Sequence, residues 1–318
     1  MRIVSLSSIW NEELAPLLDR GLELLAVDPD DAKTLEAALA DAHVVISAKL
    51  SSRQIRACKQ LRLLICPAAG TDLIDRAALP GDVQFVKGSG HEIPMAEYVI
   101  GCLVALRQHL LESDAALRQG HWKYGFLGDS GLLDELHGSA LGMIGFGGIA
   151  QAVARRALAF GMRCAAVTLH PDTTRAQASA LEFLGGLGDA AQVDRLVSWS
   201  DALVLCCELS EITRGILDAR RFELMKRGAV VVNIARGPVA REKDFYDALA
   251  SGRIAGAAID VWYQYPPEAS FPSELPFQDL RNVIMTPHSS AWTEPTKRRR
   301  VAAIAAAIND FARGSKPV

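Results

Sequence analysis

The reading turns on "LGMIGFGGIA", Leu141 to Ala150. An apolar run of strand length ends in three closely spaced glycines, and a helix-patterned segment, "IAQAVARRALAFG", follows. Gly145, Gly147 and Ala150 satisfy the G-x-G-x-x-G/A spacing of a phosphate-binding turn between a strand and a helix. Gly145 permits the tight turn. Gly147 lets backbone approach a pyrophosphate with no side chain between them. Ala150 lets the helix pack close to the strand. The first residues of that helix, Gly148 and Ile149, offer unpaired N–H groups and the positive end of the helix dipole to an anion. A ligand-free strand-to-helix turn is the competing reading, because glycine turns alone are common. The strand before and the helix after favour a nucleotide.

Outward from this turn, strand-length apolar runs alternate with helix-patterned segments. "RIVSL", "HVVISA", "LRLLICP" and "VQFVKG" precede it, and "MRCAAVT", "DALVLCC", "GAVVVNIA", "GAAIDV" and "NVIMTP" follow it. Such alternation predicts an α/β protein with parallel sheets covered on both faces. The segment from Ile93 to about Gln119, with proline near its start, predicts one long helix. Six strand candidates after it match a complete Rossmann dinucleotide-binding domain. The expected organisation is two doubly wound parallel-sheet domains. Residues 1–107 with 293–318 form a substrate domain, and residues 108–292 form the nucleotide domain. The Ala-rich terminal helix, "EPTKRRRVAAIAAAINDFAR", is expected to return to the first domain, since the nucleotide fold is complete without it.

The 318 residues carry a net charge of −3, which gives no global attraction to nucleic acid or acidic membranes. The run Lys297–Arg300, "KRRR", is expected to be the solvated face of the terminal helix. Six cysteines without C-x-x-C spacing argue against a disulfide scaffold or a zinc site, and for reduced thiols in a cytoplasmic protein. No apolar stretch reaches the length of a membrane span, and "MRIVSLSSIW" lacks a targeting signature.

The end of the second strand of the nucleotide fold bears on cofactor choice. An acidic residue there would hold the ribose 2′-hydroxyl of NAD. The segment reads "MRCAAVTLHPDTTR", and the expected position falls near Thr168. Thr168, His170, Thr173, Thr174 and Arg175 could instead receive a 2′-phosphate, whereas Asp172 follows a proline out in the loop. This favours NADP(H) over NAD.

Further motifs, "AAGTDLID", "NIARGPV" (Asn233–Val239), "GAAIDVW" (Gly256–Trp262) and "TPHSSAWT" (Thr286–Thr293), occur in order with "GMIGFGGIA". Together they resemble the D-isomer-specific 2-hydroxyacid dehydrogenases over nearly the whole chain. The resemblance implies a flavodoxin-like substrate domain and a Rossmann domain around a cleft, a homodimer, and a hydride transferred between a nicotinamide and C2 of a small 2-hydroxy or 2-oxo acid. It implies that Arg236 binds the substrate carboxylate and polarises the carbonyl, and that His288 transfers the hydroxyl proton. Gly70 and Thr71 would offer backbone N–H groups to the carboxylate. Asp260 would hold the nicotinamide carboxamide. Cys207, Thr213 and Ala235 would complete the cofactor-binding set.

The chemistry suits these residue types. A guanidinium fork can bridge a carboxylate and the ketone beside it. An imidazole titrates near working pH and can supply a proton to a forming alkoxide. Arg236 and His288 each follow an apolar strand, at the end where α/β folds build sites.

The chain departs from the family pattern at one place. The glutamate that usually partners the histidine lies five residues after the aspartate of "DV"; here that slot holds Tyr265, followed by Pro266, with Gln264 beside it. Tyrosine is therefore the candidate third catalytic residue. A hydroxyl supports an imidazolium less than a carboxylate does, which predicts a lower His288 pKa than in glutamate-bearing relatives. Formate dehydrogenases, which resemble this family, carry glutamine near this position, so a substrate needing no proton transfer is conceivable. Glu268 or Glu274 could also swing in from the following loop. His91 and Glu92 either cap the long helix or face the substrate, with capping favoured, and the other histidines read as structural. Trp262, Tyr263, Tyr265 and Trp292 bring aromatic mass near the site motifs, with core packing the default for each. The alternative function is a catalytically weak nucleotide sensor or corepressor-like scaffold on the same fold.

Overall fold

The computed structural model describes residues 1–7, 9–126, 131–172, 180–265 and 271–315. The chain divides into two units, Met1–His91 with Trp292–Val318, and Glu92–Ala291.

The first unit holds strands β1 (Arg2–Ser5), β2 (Glu23–Ala26), β3 (Val44–Ile46), β4 (Leu63–Cys66) and β5 (Gln84–Lys87). They form one parallel sheet in the order β2-β1-β3-β4-β5. Helices α1 (Asn11–Leu14), α2 (Ala32–Ala40) and α3 (Ser52–Ala57) connect them. β3 and β4 are buried on both faces, which is why they read as unbroken apolar runs. Ser51 and Gln54 close a reciprocal capping box that starts α3. β2 is half exposed at the sheet edge, so its sequence lacks the apolar density that marks the other strands.

The second unit opens with α4 (Glu92–Arg107) and α5 (Leu110–Leu117). The expected single long helix is broken at His109, which adopts a left-handed φ of 46°. The buried side chains of α4, from Met95 to Leu103, share a hydrophobic cluster with Ala150, Val153 and Ala157. That packing places α4 in the nucleotide unit and moves the boundary from the expected 107/108 back to 91/92.

The remaining elements are β6 (Ala140–Ile144), α6 (Gly148–Ala159), β7 (Arg163–Thr168), β8 (Leu184–Gly186), α7 (Ala190–Trp199), β9 (Ala202–Leu205), α8 (Ala219–Leu224), β10 (Val230–Asn233), α9 (Glu242–Ala250), β11 (Gly256–Ile259) and β12 (Val283–Met285). Seven parallel strands run in the order β12-β11-β10-β9-β6-β7-β8. The sequence indicated six strands; the seventh, β8, is a short Leu-Gly-Gly edge strand without a strand-like pattern. Asp189 and Asp218 accept backbone N–H groups at the starts of α7 and α8.

The terminal helix α10 (Glu294–Ala312) packs Val301, Ile304, Ala305 and Ile308 against Ile3, Val44, Ile46 and Leu63 of the first unit. The basic run on α10 is not a uniformly solvated face. Lys297 pairs with Glu13, Arg299 donates to the Gly90 carbonyl at 3.1 Å, and Arg300 is buried with its guanidinium 5.3 Å from the Trp10 ring centroid.

Candidate active site

The turn after β6 is built as the glycine spacing requires. Gly145 has a φ of 103°, and a Cβ there would lie 2.8 Å from the Cys206 carbonyl oxygen. Only glycine fits both demands. A Cβ on Gly147 would meet nothing within 4 Å, so that side of the turn is open. Among the described residues, the N–H groups of Gly148 and Ile149 donate to no carbonyl of the chain. An open cradle with two unspent donors at a helix start fits a pyrophosphate. Glu92, the first residue of α4, stands beside it: a Cβ on Gly148 would lie 3.2 Å from Glu92 Cγ and 3.6 Å from Oε1. His91 is buried immediately before it.

The other cofactor candidates sort by environment. Thr168 ends β7, and its carbonyl accepts the Leu187 N–H at 2.8 Å. His170 is exposed just beyond; Thr173, Thr174 and Arg175 lie outside the described residues. Thr213 is buried with its hydroxyl engaged, donating to the Glu208 carbonyl at 2.7 Å and accepting the Ser210 N–H at 2.8 Å. Its side chain closes the 208–213 turn. Burial pushes the neighbouring Cys207 thiol up to about 12, so it remains a neutral wall.

Three adjacent strands of the sheet deliver the remaining candidates at their carboxyl ends. Beyond β10, the buried Asn233 side chain shapes the loop: its Oδ1 accepts the Ala235 N–H at 3.1 Å and its Nδ2 donates to the Arg236 carbonyl at 3.1 Å. Arg236 follows, half-buried, with Nη1 donating to the Ala235 carbonyl at 2.9 Å. Gly237 is obligatory behind it, because a Cβ would fall 2.3 Å from the Trp262 carbonyl oxygen.

Asp260, directly after β11, is fully buried. Its carboxylate accepts the Thr286 hydroxyl at 2.6 Å, the Ser289 N–H at 2.8 Å and the Ser290 N–H at 3.0 Å. It thereby pins the loop after β12 that carries His288. The Tyr98 hydroxyl lies 2.8 Å from the Thr286 hydroxyl. Since Thr286 donates to Asp260, Tyr98 donates to Thr286. Sequence reasoning assigned no role to Tyr98, Thr286 or Asn233; the only signal was that their polar atoms sit within apolar runs.

His288 is exposed and adopts a left-handed φ of 58°. Tyr265 sits beside it, with ring centroids 5.6 Å apart and planes at 62°. The Tyr265 hydroxyl accepts the Trp262 N–H at 2.7 Å. Its pKa is raised, chiefly by desolvation and also by the Asp260 charge, against the opposing Trp262 hydrogen bond and Arg236 charge. Gln264 does not take that place; its amide donates to exposed Glu274 at 3.5 Å. Glu268 lies outside the described residues. The other aromatics separate: Trp262 and Tyr263 pack on Phe277, with Trp262 Nε1 donating to the Thr286 carbonyl at 2.9 Å. Trp292 belongs to the first unit, against Trp10.

In the first unit, Thr71 is buried and Gly70 half-buried in the loop after β4. Among the described residues neither N–H donates to another group of the chain, which leaves both available to a ligand.

Among the described residues no His, Cys, Asp and Glu cluster could hold a metal ion, all six cysteines are free, and no helix is long and apolar enough to cross a membrane.

The family model for the D-isomer specific 2-hydroxyacid dehydrogenase NAD-binding domain matches residues 100–290. The chain is 30% identical to a glyoxylate reductase of Korarchaeum cryptofilum, covering 97% of this chain and 87% of that protein. It is 34% identical to a hydroxypyruvate reductase of Thermotoga maritima, covering 81% and 80%. The TT0316 protein of Thermus thermophilus shares the structure with a TM-score of 0.80 at 26% identity, over 100% of this chain and 98% of that one. The α/β architecture, the dinucleotide cradle and these matches agree: the chain is a nicotinamide-dependent oxidoreductase that belongs to the D-isomer specific 2-hydroxyacid dehydrogenase family.

Proposed function

We propose that the protein reduces a small 2-oxo acid to the 2-hydroxy acid, and catalyses the reverse oxidation, with NADP(H) preferred. The observation that carries this reading is the grouping of Arg236, Tyr265 and His288 beyond the carboxyl ends of β10, β11 and β12, in the same sheet whose β6 leads into the open glycine turn.

Gly145, Gly147, Gly148 and Ile149 would hold the nicotinamide cofactor, which when bound would supply or accept the hydride at C2. Arg236 orients the substrate carboxylate and draws electron density from the carbonyl oxygen. The N–H groups of Gly70 and Thr71 receive the carboxylate. As C2 gains the hydride, His288 gives its proton to the oxygen, so one hydride (carrying two electrons) and one proton convert ketone to alcohol. Asp260 holds the His288 loop in place. Three of its roughly four lone-pair positions are filled, and since Asp260 has no exposed surface here, the fourth would reach a nicotinamide carboxamide only as the loop after β12 shifts. The Tyr265 ring restricts the imidazole beside it, while its hydroxyl is held by the Trp262 N–H.

NADP(H) preference is supported by the uncharged Thr168 at the end of β7, the position from which a carboxylate would hold a 2′-hydroxyl. The assignment is tested by following NADPH and NADH oxidation with a panel of 2-oxo acids. Turnover with NADPH at lower KM is expected; tight cofactor binding without turnover on any acid would refute the enzyme reading and favour the sensor. The relatives matched are oxidoreductases, which does not favour that alternative. A homodimer fits the exposed Leu111, Trp122, Phe126 and Leu132, which supply apolar surface for a second copy, and sedimentation velocity tests it.

A further inference from the structure

His288 sits on an arch whose two feet stand on one carboxylate. The Thr286 hydroxyl and the Ser289 N–H reach Asp260 Oδ1 at 2.6 and 2.8 Å, and the Ser290 N–H reaches Oδ2 at 3.0 Å. Pro287 and His288 span the gap between those feet and are exposed. The place of the imidazole therefore depends on how firmly Thr286 is held.

Thr286 makes four hydrogen bonds. Its N–H donates to the Ile259 carbonyl at 3.0 Å, which carries the β11–β12 pairing one residue further, and its carbonyl accepts Trp262 Nε1 at 2.9 Å. Its hydroxyl donates to Asp260 and accepts the Tyr98 hydroxyl at 2.8 Å. Ile259, Asp260 and Trp262 all belong to β11 or the residues just after it. Tyr98 belongs to α4, 188 positions away in the chain. β12 is a strand of only three residues at the sheet edge, paired with β11. Tyr98 adds a hold on its end from the helix layer.

The residue type suits that task. The Tyr98 ring is half-buried against the cluster that α4 shares with α6, where Ile284 of β12 and Ala291 also pack. Burial, with Cys102 and Asp260 nearby, pushes the phenol well above its usual pKa, so it stays a protonated donor. Thr286 spends its own proton on Asp260, and the phenol fills a lone pair that a phenylalanine would leave unmet.

The chain passes between its two units at His91/Glu92 and again at Ala291/Trp292. α4 begins at the first passage, and the His288 arch leads into the second. Within the second unit, the Tyr98–Thr286 bond ties these two segments together.

We propose that Tyr98 is a positioning residue for the proton transfer: through Thr286 and Asp260 it clamps the His288 arch to α4 and so sets where the imidazole meets the substrate oxygen. The proposal rests on the reading of His288 as proton donor.

The test uses the full chain and the 2-oxo acid it reduces fastest, in the wild type, Tyr98→Phe, Thr286→Val and the double variant. Tyr98→Phe keeps the ring in its cluster, so KM and the Kd of NADPH should stay within threefold while kcat falls at least fivefold, as a catalytic group misplaced by about 1 Å can lose on the order of a hundredfold. The solvent deuterium isotope effect on kcat should rise, because a displaced imidazole slows the proton step. Adding Tyr98→Phe to Thr286→Val should change kcat less than twofold, since the link to His288 is already cut. A smaller loss of kcat in Tyr98→Phe, parallel changes in kcat, KM and Kd, an unchanged isotope effect, or full additivity in the double variant would overturn the proposal. Amide hydrogen exchange gives a reading that needs no turnover: the Ser289 and Ser290 N–H groups should exchange at least tenfold faster in Tyr98→Phe while the amides of α7 keep their rates. Unchanged protection at Ser289 and Ser290 overturns the clamp. If the wild type reduces no 2-oxo acid, the reductase reading fails by itself, and the exchange measurement alone decides the clamp.

Discussion

Asp260→Asn isolates what holds the His288-bearing loop in place. The carboxylate is fully buried and accepts three hydrogen bonds, one from Thr286 and two from the Ser289 and Ser290 N–H groups. An asparagine keeps one acceptor oxygen. Oriented to serve Thr286 and Ser289, its NH2 would face the Ser290 N–H, donor against donor, at a residue only 5% exposed. One buried backbone donor left unmet costs about 1–3 kcal/mol. In a cooperative unit of this size that lowers Tm by roughly 3–10 °C. The same displacement shifts His288, and a misplacement of about 1 Å in a catalytic group can cost on the order of a hundredfold in rate. Differential scanning calorimetry should therefore show a lowered transition, and NADPH-linked reduction should show a kcat reduced tenfold to a hundredfold with a smaller change in KM. A variant that melts within 1 °C of the wild type and keeps its kcat would refute the claim that Asp260 pins this loop.

Other substitutions probe separate links. Gly145→Ala combines a φ of 103° with a Cβ 2.8 Å from the Cys206 carbonyl oxygen, and should weaken NADPH binding at least tenfold by fluorescence titration. Arg236→Lys keeps the charge but loses the planar fork, so kcat/KM should fall on the order of a hundredfold while cofactor Kd stays within threefold. Tyr265→Glu places a carboxylate beside His288 and should move the upper limb of the reduction pH profile up by about one unit, whereas Tyr265→Phe should leave the limb in place. Asp194 has its carboxyl held below the usual carboxylate range by Arg220 and then Arg221. A depressed carboxyl contributes stability above its unfolded pKa, near 4, and loses it as pH falls through the lower folded value. Asp194→Asn should therefore cost up to about 1 kcal/mol in urea unfolding at pH 7, with the difference from wild type vanishing below about pH 3.

The architecture was legible wherever local chemistry and tertiary burial agree. β3, β4, β9, β10 and β11 lie between helical layers, so their sequences are apolar throughout. The glycine turn was legible because backbone geometry admits few residues at Gly145. β2 and β8 were not, because edge strands need no continuous apolar face. The break at His109 was hidden for a different reason: a left-handed residue there is stabilised by what packs around it, including Tyr124 stacked at 4.4 Å.

By itself, then, the chain's order of apolar runs and glycines determined two α/β units and the strand–glycine turn–helix at Gly145, and set Arg236 and His288 just after apolar strands. Spacing along a strand places a residue at a sheet's functional end, and that much is one-dimensional information. Only the tertiary structure decided which unit α4 joins, that Asp260 anchors the His288 loop through Thr286 and two N–H groups, and that Tyr98 of α4 reaches Thr286. Those arrangements unite residues far apart in the chain. Their energy comes from burying polar groups against specific partners, and no local pattern encodes the partner.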